Sequence, residues 1–191
     1  MIKPKIENVN NLEQFYKELI SAQQQAHGIE YTSHHSVLQS LAKECNTIKE
    51  LGVCQGATLA AMLFCNPNKI TGIDIDPQYL LPYQNLFEEY AKENQIDFEF
   101  ICGSSHDKKL VSSVDLMHID SYHTYDHLIK ELSIHASEVK KYIVFHDTVH
   151  RRGAQRLLAA ITHYITEIEP KWEIVEHSIK GAGHTVIKRI K

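Results

Sequence analysis

Apolar positions recur along this chain with two periods, and stretches of one period alternate with stretches of the other. Residues 12–26 carry Leu12, Phe15, Tyr16, Leu19 and Ile20 at helical spacing, an amphipathic helix that Gly28 ends. Thr32 or Ser33 caps a second helix with Val37, Leu38, Leu41 and Ala42. A short apolar run over 48–53 reads as a strand ending in a glycine-containing turn. Leu59, Ala60, Met62 and Leu63 follow on a helix closed by Asn66-Pro67-Asn68. The alternation continues with strand 70–75, helix 78–94, strands 98–102 and 114–120, helix 125–139, strand 142–146 and helix 153–168. The tail, WEIVEHSI-KGAG-HTVIKRI, is a strand pair around a glycine turn.

This order predicts an α/β fold with right-handed crossovers: a three-layer, mostly parallel seven-stranded sheet with a C-terminal antiparallel hairpin. With no repeat, linker or low-complexity segment, residues 1–191 read as a single domain, in which helices over 1–46 cover a site built on the 47–191 core. In open α/β sheets ligands bind beyond the carboxyl ends of the strands. That rule brings residues 50–58, 74–76, 103–107, 118–126 and 146–148 to one edge.

Composition narrows the function classes. The chain is 43% apolar and 23% charged with a net charge of −4, an ordinary globular balance without a nucleic-acid or membrane surface. No apolar run approaches the roughly 20 residues that span a bilayer, and the N-terminus lacks a signal-peptide core. Cys45, Cys54, Cys65 and Cys102 are dispersed, three of them in apolar surroundings, and read as reduced core thiols, as in a cytoplasmic protein. Thirteen histidines are many for this length but decide nothing by their number.

Position decides more. The first strand ends in ELGVCQGATLA, where Gly52 and Gly56 allow a tight turn before a helix, flanked by Glu50 and Thr58. The GxGxxG of a dinucleotide site is missing, since neither 54 nor 57 is glycine. The second strand ends in GIDID, and an acid at Asp74 suits a bidentate hydrogen bond to ribose hydroxyls. Two further strand endings, HIDSYHTYD at 118–126 and YIVFHDT at 142–148, are rich in acids and imidazoles. Asp120 and the His146-Asp147 pair end strands predicted to be neighbours, so their side chains can meet, with His123 over the same space. Two carboxylates at adjacent strand ends match what a hard divalent cation needs.

E-x-G-x-x-x-G followed by an acid after the second strand resembles class I S-adenosylmethionine-dependent methyltransferases, which also finish in such a hairpin. The pattern D-x-x-H-x-Y-x-x-x-x-x-[DE] from Asp120, then V-F-H-D-T, is similar to a metal-dependent O-methyltransferase subgroup. It comprises macrocin-type sugar O-methyltransferases, cephalosporin hydroxylase-like proteins and, more distantly, catechol O-methyltransferase. The resemblance runs from about residue 33 to 156. It implies a Rossmann-like fold, S-adenosylmethionine over Glu50, Gly52, Gly56, Thr58, Asp74 and Asp120, and the adenine beside Ser104, Ser105 or Asp107. It also implies a divalent metal, Mg²⁺ or Mn²⁺, on Asp120, His146 and Asp147, with His123 as general base. The expected substrate is a hydroxyl on a sugar or other small molecule, and a homo-oligomer is one way to supply a lid that so short a chain lacks. Relatives often carry an acid where this chain has His146, and two carboxylates with one imidazole suit Mn²⁺ or Fe²⁺ at least as well as Mg²⁺.

Plainer roles stand beside these. Asp120 can cap the helix beginning near Thr124, His123 can bond Asp126 in a turn, and His146 can be a core histidine. His118 reads as structural, and His127, His135 and His163 as surface or boundary residues. His34 and His35 are candidates for substrate or cofactor contact, and His150-Arg151-Arg152 for an anionic part of a substrate. Three other functions remain open on sequence: a metal-independent methyltransferase with His123 acting alone, a non-catalytic module that binds S-adenosylmethionine or S-adenosylhomocysteine, and, disfavoured by its glycines, a dinucleotide oxidoreductase.

Overall fold

A computed structural model of the chain describes residues 5–149 and 154–190. Five parallel strands, β1 (Thr47–Leu51), β2 (Lys69–Asp74), β3 (Asp97–Cys102), β4 (Val114–Ile119) and β5 (Val139–His146), form most of one sheet. β6 (Trp172–Ser178) and β7 (His184–Arg189) close it, giving the order β3-β2-β1-β4-β5-β7-β6 with β7 antiparallel to both neighbours. This is the predicted seven-stranded α/β sheet with its reversed hairpin. The strand order reverses between β1 and β4, and the carboxyl ends on either side of that switch carry the polar residues singled out above.

The central strands are covered on both faces, and every residue of β4 is buried, Asp115 and His118 included. Ile48, Leu116 and Val144 point to one face, under α1 (Leu12–His27), α2 (His34–Ala42), α3 (Ala57–Leu63) and α4 (Gln84–Glu93). Leu51, Met117, Ile119 and Phe145 point to the other, under α5 (Tyr125–His135) and α6 (Ala154–His163). Phe15 of α1 is fully buried against the rings of Tyr83 and Phe87, with centroids 4.5 and 6.0 Å away. The N-terminal helices are therefore part of the core as well as a cover.

Two helix boundaries differ from the periodicity. The 78–94 helix begins only at Gln84, because Pro77 and Pro82 split its first turns into two short 3₁₀ pieces, 77–79 and 81–83. Pro82 lacks the N–H that a helix interior needs and its ring crowds the turn before it. The 125–139 helix ends at His135, and Val139-Lys140-Lys141 open β5 instead, with Val139 paired to Val114 across a bulge. Arg189 fastens that junction. Its guanidinium donates to the carbonyls of Val139 (2.7 Å) and Ala136 (2.6 Å) while lying 4.4 Å over Trp172. Among the described residues no helix is long and apolar enough to cross a membrane; all four cysteines are free, but only Cys45 is a core thiol, Cys54 and Cys65 being half-buried and Cys102 exposed at the end of the edge strand β3.

Candidate methyl-transfer site

The predicted edge holds a cavity of about 390 Å³, within the usual range of small-molecule sites. Gly52 makes its floor possible. Its φ is +87°, and a Cβ there would overlap the carbonyl of Asp120. Only glycine lets the ends of β1 and β4 come this close, where Asp120 N–H donates to Leu51 O at 2.8 Å. Cys54, where a dinucleotide loop would have glycine, adopts the same left-handed region at φ +51°. The strain is offset by a hydrogen bond: Cys54 N–H donates to Asp74 Oδ2 at 2.7 Å, beside Val53 N–H at 2.8 Å.

Those bonds alter the expected role of Asp74. A carboxylate offers about four acceptor positions. Two take the loop amides and a third takes Asp76 N–H at 2.9 Å, which among the described residues leaves one. Asp74 lines the cavity, but the bidentate grip expected of it is reduced to a single open position because the loop itself occupies the others. Gly52, Cys54, Ser104 and Ser105 share that wall.

Glu50, Thr58 and Gly56 do not reach it. Glu50 is fully buried, accepts the Thr58 hydroxyl, and lies 2.8 Å from His118 Nδ1. Burial raises the Glu50 carboxyl above its ordinary pKa against the opposing pull of His118 and Thr58. These three side chains brace β1, α3 and β4 behind the cavity. Gly56, at φ +83°, is a packing glycine, since a Cβ there would crowd Phe87 and Leu80. Asp107 caps a turn through Lys109 N–H, 2.9 Å away, and is absent from the cavity wall.

At the other end four side chains meet. His123 Nε2 lies 3.1 Å from Asp120 Oδ1, and its Nδ1 lies 3.2 Å from Asp147 Oδ2. His146 Nδ1 is 3.3 Å from Asp120 Oδ1 and 3.8 Å from Asp147 Oδ1. For both imidazoles burial works against a proton, but the carboxylates outweigh it and hold each above its ordinary pKa. Burial likewise opposes the charge on Asp120, yet His146, His123 and His118 keep its carboxyl well below the usual range. Asp147 sits at φ +56°, a left-handed conformation that Asp tolerates better than most residues.

The corner fits a cation on its own geometry. His146 is 5% exposed, and its Nδ1 has no aligned hydrogen bond among the described residues although it faces both acids. One donor atom from each of Asp120, His146 and Asp147 lies within 4.8 Å of the others. Asp120 does not cap the following helix, whose N-cap is Thr124, and His123 contacts Asp120 and Asp147 in place of Asp126.

Sequence reading missed Tyr31. It lines the cavity from the turn before α2, and burial, then Asp120 and Asp147, push its hydroxyl up to about 12. No local pattern marks it; the hairpin turn holds it there. A Cβ at Gly181 would overlap the carbonyl of Glu30. His34 and His35 are buried and off the cavity wall: His34 lies 4.0 Å from the His146 ring, centroid to centroid, and His35 Nδ1 is 3.0 Å from the Tyr16 hydroxyl. They support the corner from behind. His127 is a half-buried boundary residue on the cavity wall and His163 is exposed and meets Tyr125, as expected, whereas His135, 1% exposed, belongs to the core. His118 is structural, as expected. His150, Arg151 and Arg152 lie outside the described residues.

A sheet of this order, with a reversed final hairpin and a cavity at the switch point, is the class I S-adenosylmethionine-dependent methyltransferase fold. Solved structures agree across nearly the whole chain. A Podospora anserina methyltransferase bound to S-adenosylhomocysteine, PaMTH1, superposes with a TM-score of 0.68 at 13% identity, covering 96% of this chain and 89% of that one. The O-methyltransferase TomG of Streptomyces achromogenes, in complex with S-adenosylmethionine, gives 0.67 at 10% identity over 96% and 92%. An O-methyltransferase of Bacillus cereus with S-adenosylhomocysteine gives 0.64 at 10% identity over 97% and 93%. No protein-family model and no curated protein matches the sequence. The likeness is one of fold, and at that level the resemblance to class I S-adenosylmethionine-dependent methyltransferases is borne out.

Proposed function

We propose that the chain is an S-adenosylmethionine-dependent O-methyltransferase acting on a hydroxyl of a sugar or other small molecule, with a divalent ion. One observation carries the reading: Asp120, His123 and Asp147, with His146 against both acids, converge at one corner of a cavity that Gly52, Cys54, Asp74 and Ser104 also line. The folds solved with S-adenosylmethionine and S-adenosylhomocysteine support the cofactor. The Gly52 loop would lie under its methionine part, the open position of Asp74 would hold one ribose hydroxyl, and Ser104 and Ser105 would flank the adenine.

Methyl transfer joins the acceptor oxygen to the methyl carbon as the carbon–sulfur bond breaks, and the hydroxyl proton must go to a base. His123 is 40% exposed and borders the cavity, so one of its nitrogens can turn from a carboxylate to the acceptor. The imidazolium it becomes is then stabilised by the acid that its other nitrogen still faces. Mg²⁺ or Mn²⁺ on Asp120, His146 and Asp147 would supply positive charge that lowers the pKa of the acceptor hydroxyl. Tyr31 closes the same corner, so residues 1–46 act with the 47–191 core as one catalytic unit.

S-adenosylhomocysteine release over a panel of hydroxyl acceptors, with Mg²⁺ or Mn²⁺ and with chelator, tests this. Turnover is expected to stop on chelation, and His123→Ala is expected to lower kcat by about 10²–10⁴. Cofactor binding without turnover on any acceptor would leave a non-catalytic binding module. Chelator-resistant turnover would leave His123 acting alone, a reading favoured by its present seat between both acids.

A further inference from the structure

Behind Ser105 and Ser121 a second set of donor side chains converges, which methyl transfer does not use. His127 and Glu131 lie one helical turn apart on α5, with His127 Nε2 3.2 Å from Glu131 Oε1. His106, from the loop after β3, lays its ring 4.1 Å from that of His127, centroid to centroid. His135 Nε2 meets Ser105 O at 2.7 Å and so ties that loop to α5. Glu131 is fully buried. Its Oε1 accepts the Ser121 hydroxyl at 2.6 Å, while its Oε2 has no hydrogen-bond partner among the described residues. The buried His106 Nε2 has none either. A buried carboxylate oxygen without a donor is destabilising unless something positive satisfies it.

We propose that His106, His127 and Glu131 form a zinc site in the cavity wall, separate from the Asp120 corner. One donor atom from each lies within 4.8 Å of the others. Two imidazoles and one carboxylate make a borderline-soft donor set that suits Zn²⁺ and disfavours Mg²⁺. With bonds of about 2.0–2.1 Å, the edge of a tetrahedron around zinc is about 3.3 Å. The His127–Glu131 separation of 3.2 Å already has that length. Ser121 holds Glu131 and His135 holds the His106 loop, the outer contacts that orient metal ligands. Three protein ligands leave a fourth position for water or a ligand, and His127 also borders the cavity.

The test reads zinc alone and is independent of methyl transfer. Chelator-stripped Asp147→Asn protein, with the Asp120 corner disabled, is titrated with ZnCl₂ by calorimetry and melted with and without the ion. One Zn²⁺ per chain and a raised Tm are expected. Adding His106→Gln is expected to weaken binding at least about 100-fold, more than the loss of an outer contact alone, and to abolish the zinc-dependent rise in Tm. His127→Gln on the same background should do likewise, and an unchanged Tm without zinc certifies that a variant is folded. No zinc binding by folded Asp147→Asn protein, or binding that survives both histidine changes, overturns the proposal.

Discussion

His35 is an imidazole kept neutral by its surroundings. It is 6% exposed, its Nδ1 meets the Tyr16 hydroxyl, and burial, followed by the neighbouring His118 and His146, pushes its pKa down to about 3. In the unfolded chain a histidine titrates near 6.5, so between about pH 6.5 and 3 the unfolded state binds the extra proton. The stability His35 contributes is thus complete above the unfolded value and drains away as the pH falls toward the folded one. Urea unfolding from pH 7 to 4 should show a falling stability, and His35→Gln should remove up to about 1.4 kcal/mol per pH unit of that slope. An identical slope in the variant would contradict the buried neutral imidazole. The acids and imidazoles of 118–126 and 146–147 were legible because each ends a strand. Their partners were not: nothing in the spacing of Asp120, His123 and Asp147 says that one imidazole will touch both carboxylates.

The C-terminal hairpin acts as a clamp. Sequence periodicity identifies its two strands and its KGAG turn, yet only the folded chain shows what the turn touches. Gly183 has φ +80°, and a Cβ there would overlap Val149. The turn accepts hydrogen bonds from Val149 N–H at 3.0 Å and Thr148 N–H at 3.4 Å, holding the loop that carries Asp147. Gly183→Ala should therefore cost about 1–2 kcal/mol for the left-handed backbone alone, measured by urea unfolding. It should also weaken divalent-ion binding at the Asp120 corner, read by calorimetry, through displacement of Asp147. Lost stability with unaltered ion affinity would separate the turn from that corner. The misread boundaries of α4 and α5 have local causes that periodicity ignores: apolar spacing runs on through Pro82 and Val139, while a missing N–H and a strand partner end the helices.

The cover and the core depend on each other. Leu12, Phe15, Leu19 and Leu38 are all buried in the core cluster they share with α3, α4 and one face of the sheet. Burying four such side chains is worth on the order of 8 kcal/mol, comparable with the roughly 5–15 kcal/mol by which a domain is stable. A chain beginning at residue 47 should therefore lose cooperative urea unfolding and near-ultraviolet dichroism. A cooperative transition in that fragment would mean that the N-terminal helices are an accessory.

Hydrophobic period, turn residues and element order by themselves determined the α/β class, the parallel sheet with its reversed hairpin, and the edge on which the polar strand endings lie. These are local properties, written in residues a few positions apart. Only the tertiary structure decided that Glu50 would be sealed against His118, 68 positions away. It also decided that Asp74 would bind its own loop, that Tyr31 would border the cavity, and that His106 would meet His127 and Glu131. Such pairings are set by strand register and by how loops cross the sheet edge, and register is fixed by the packing of both faces at once.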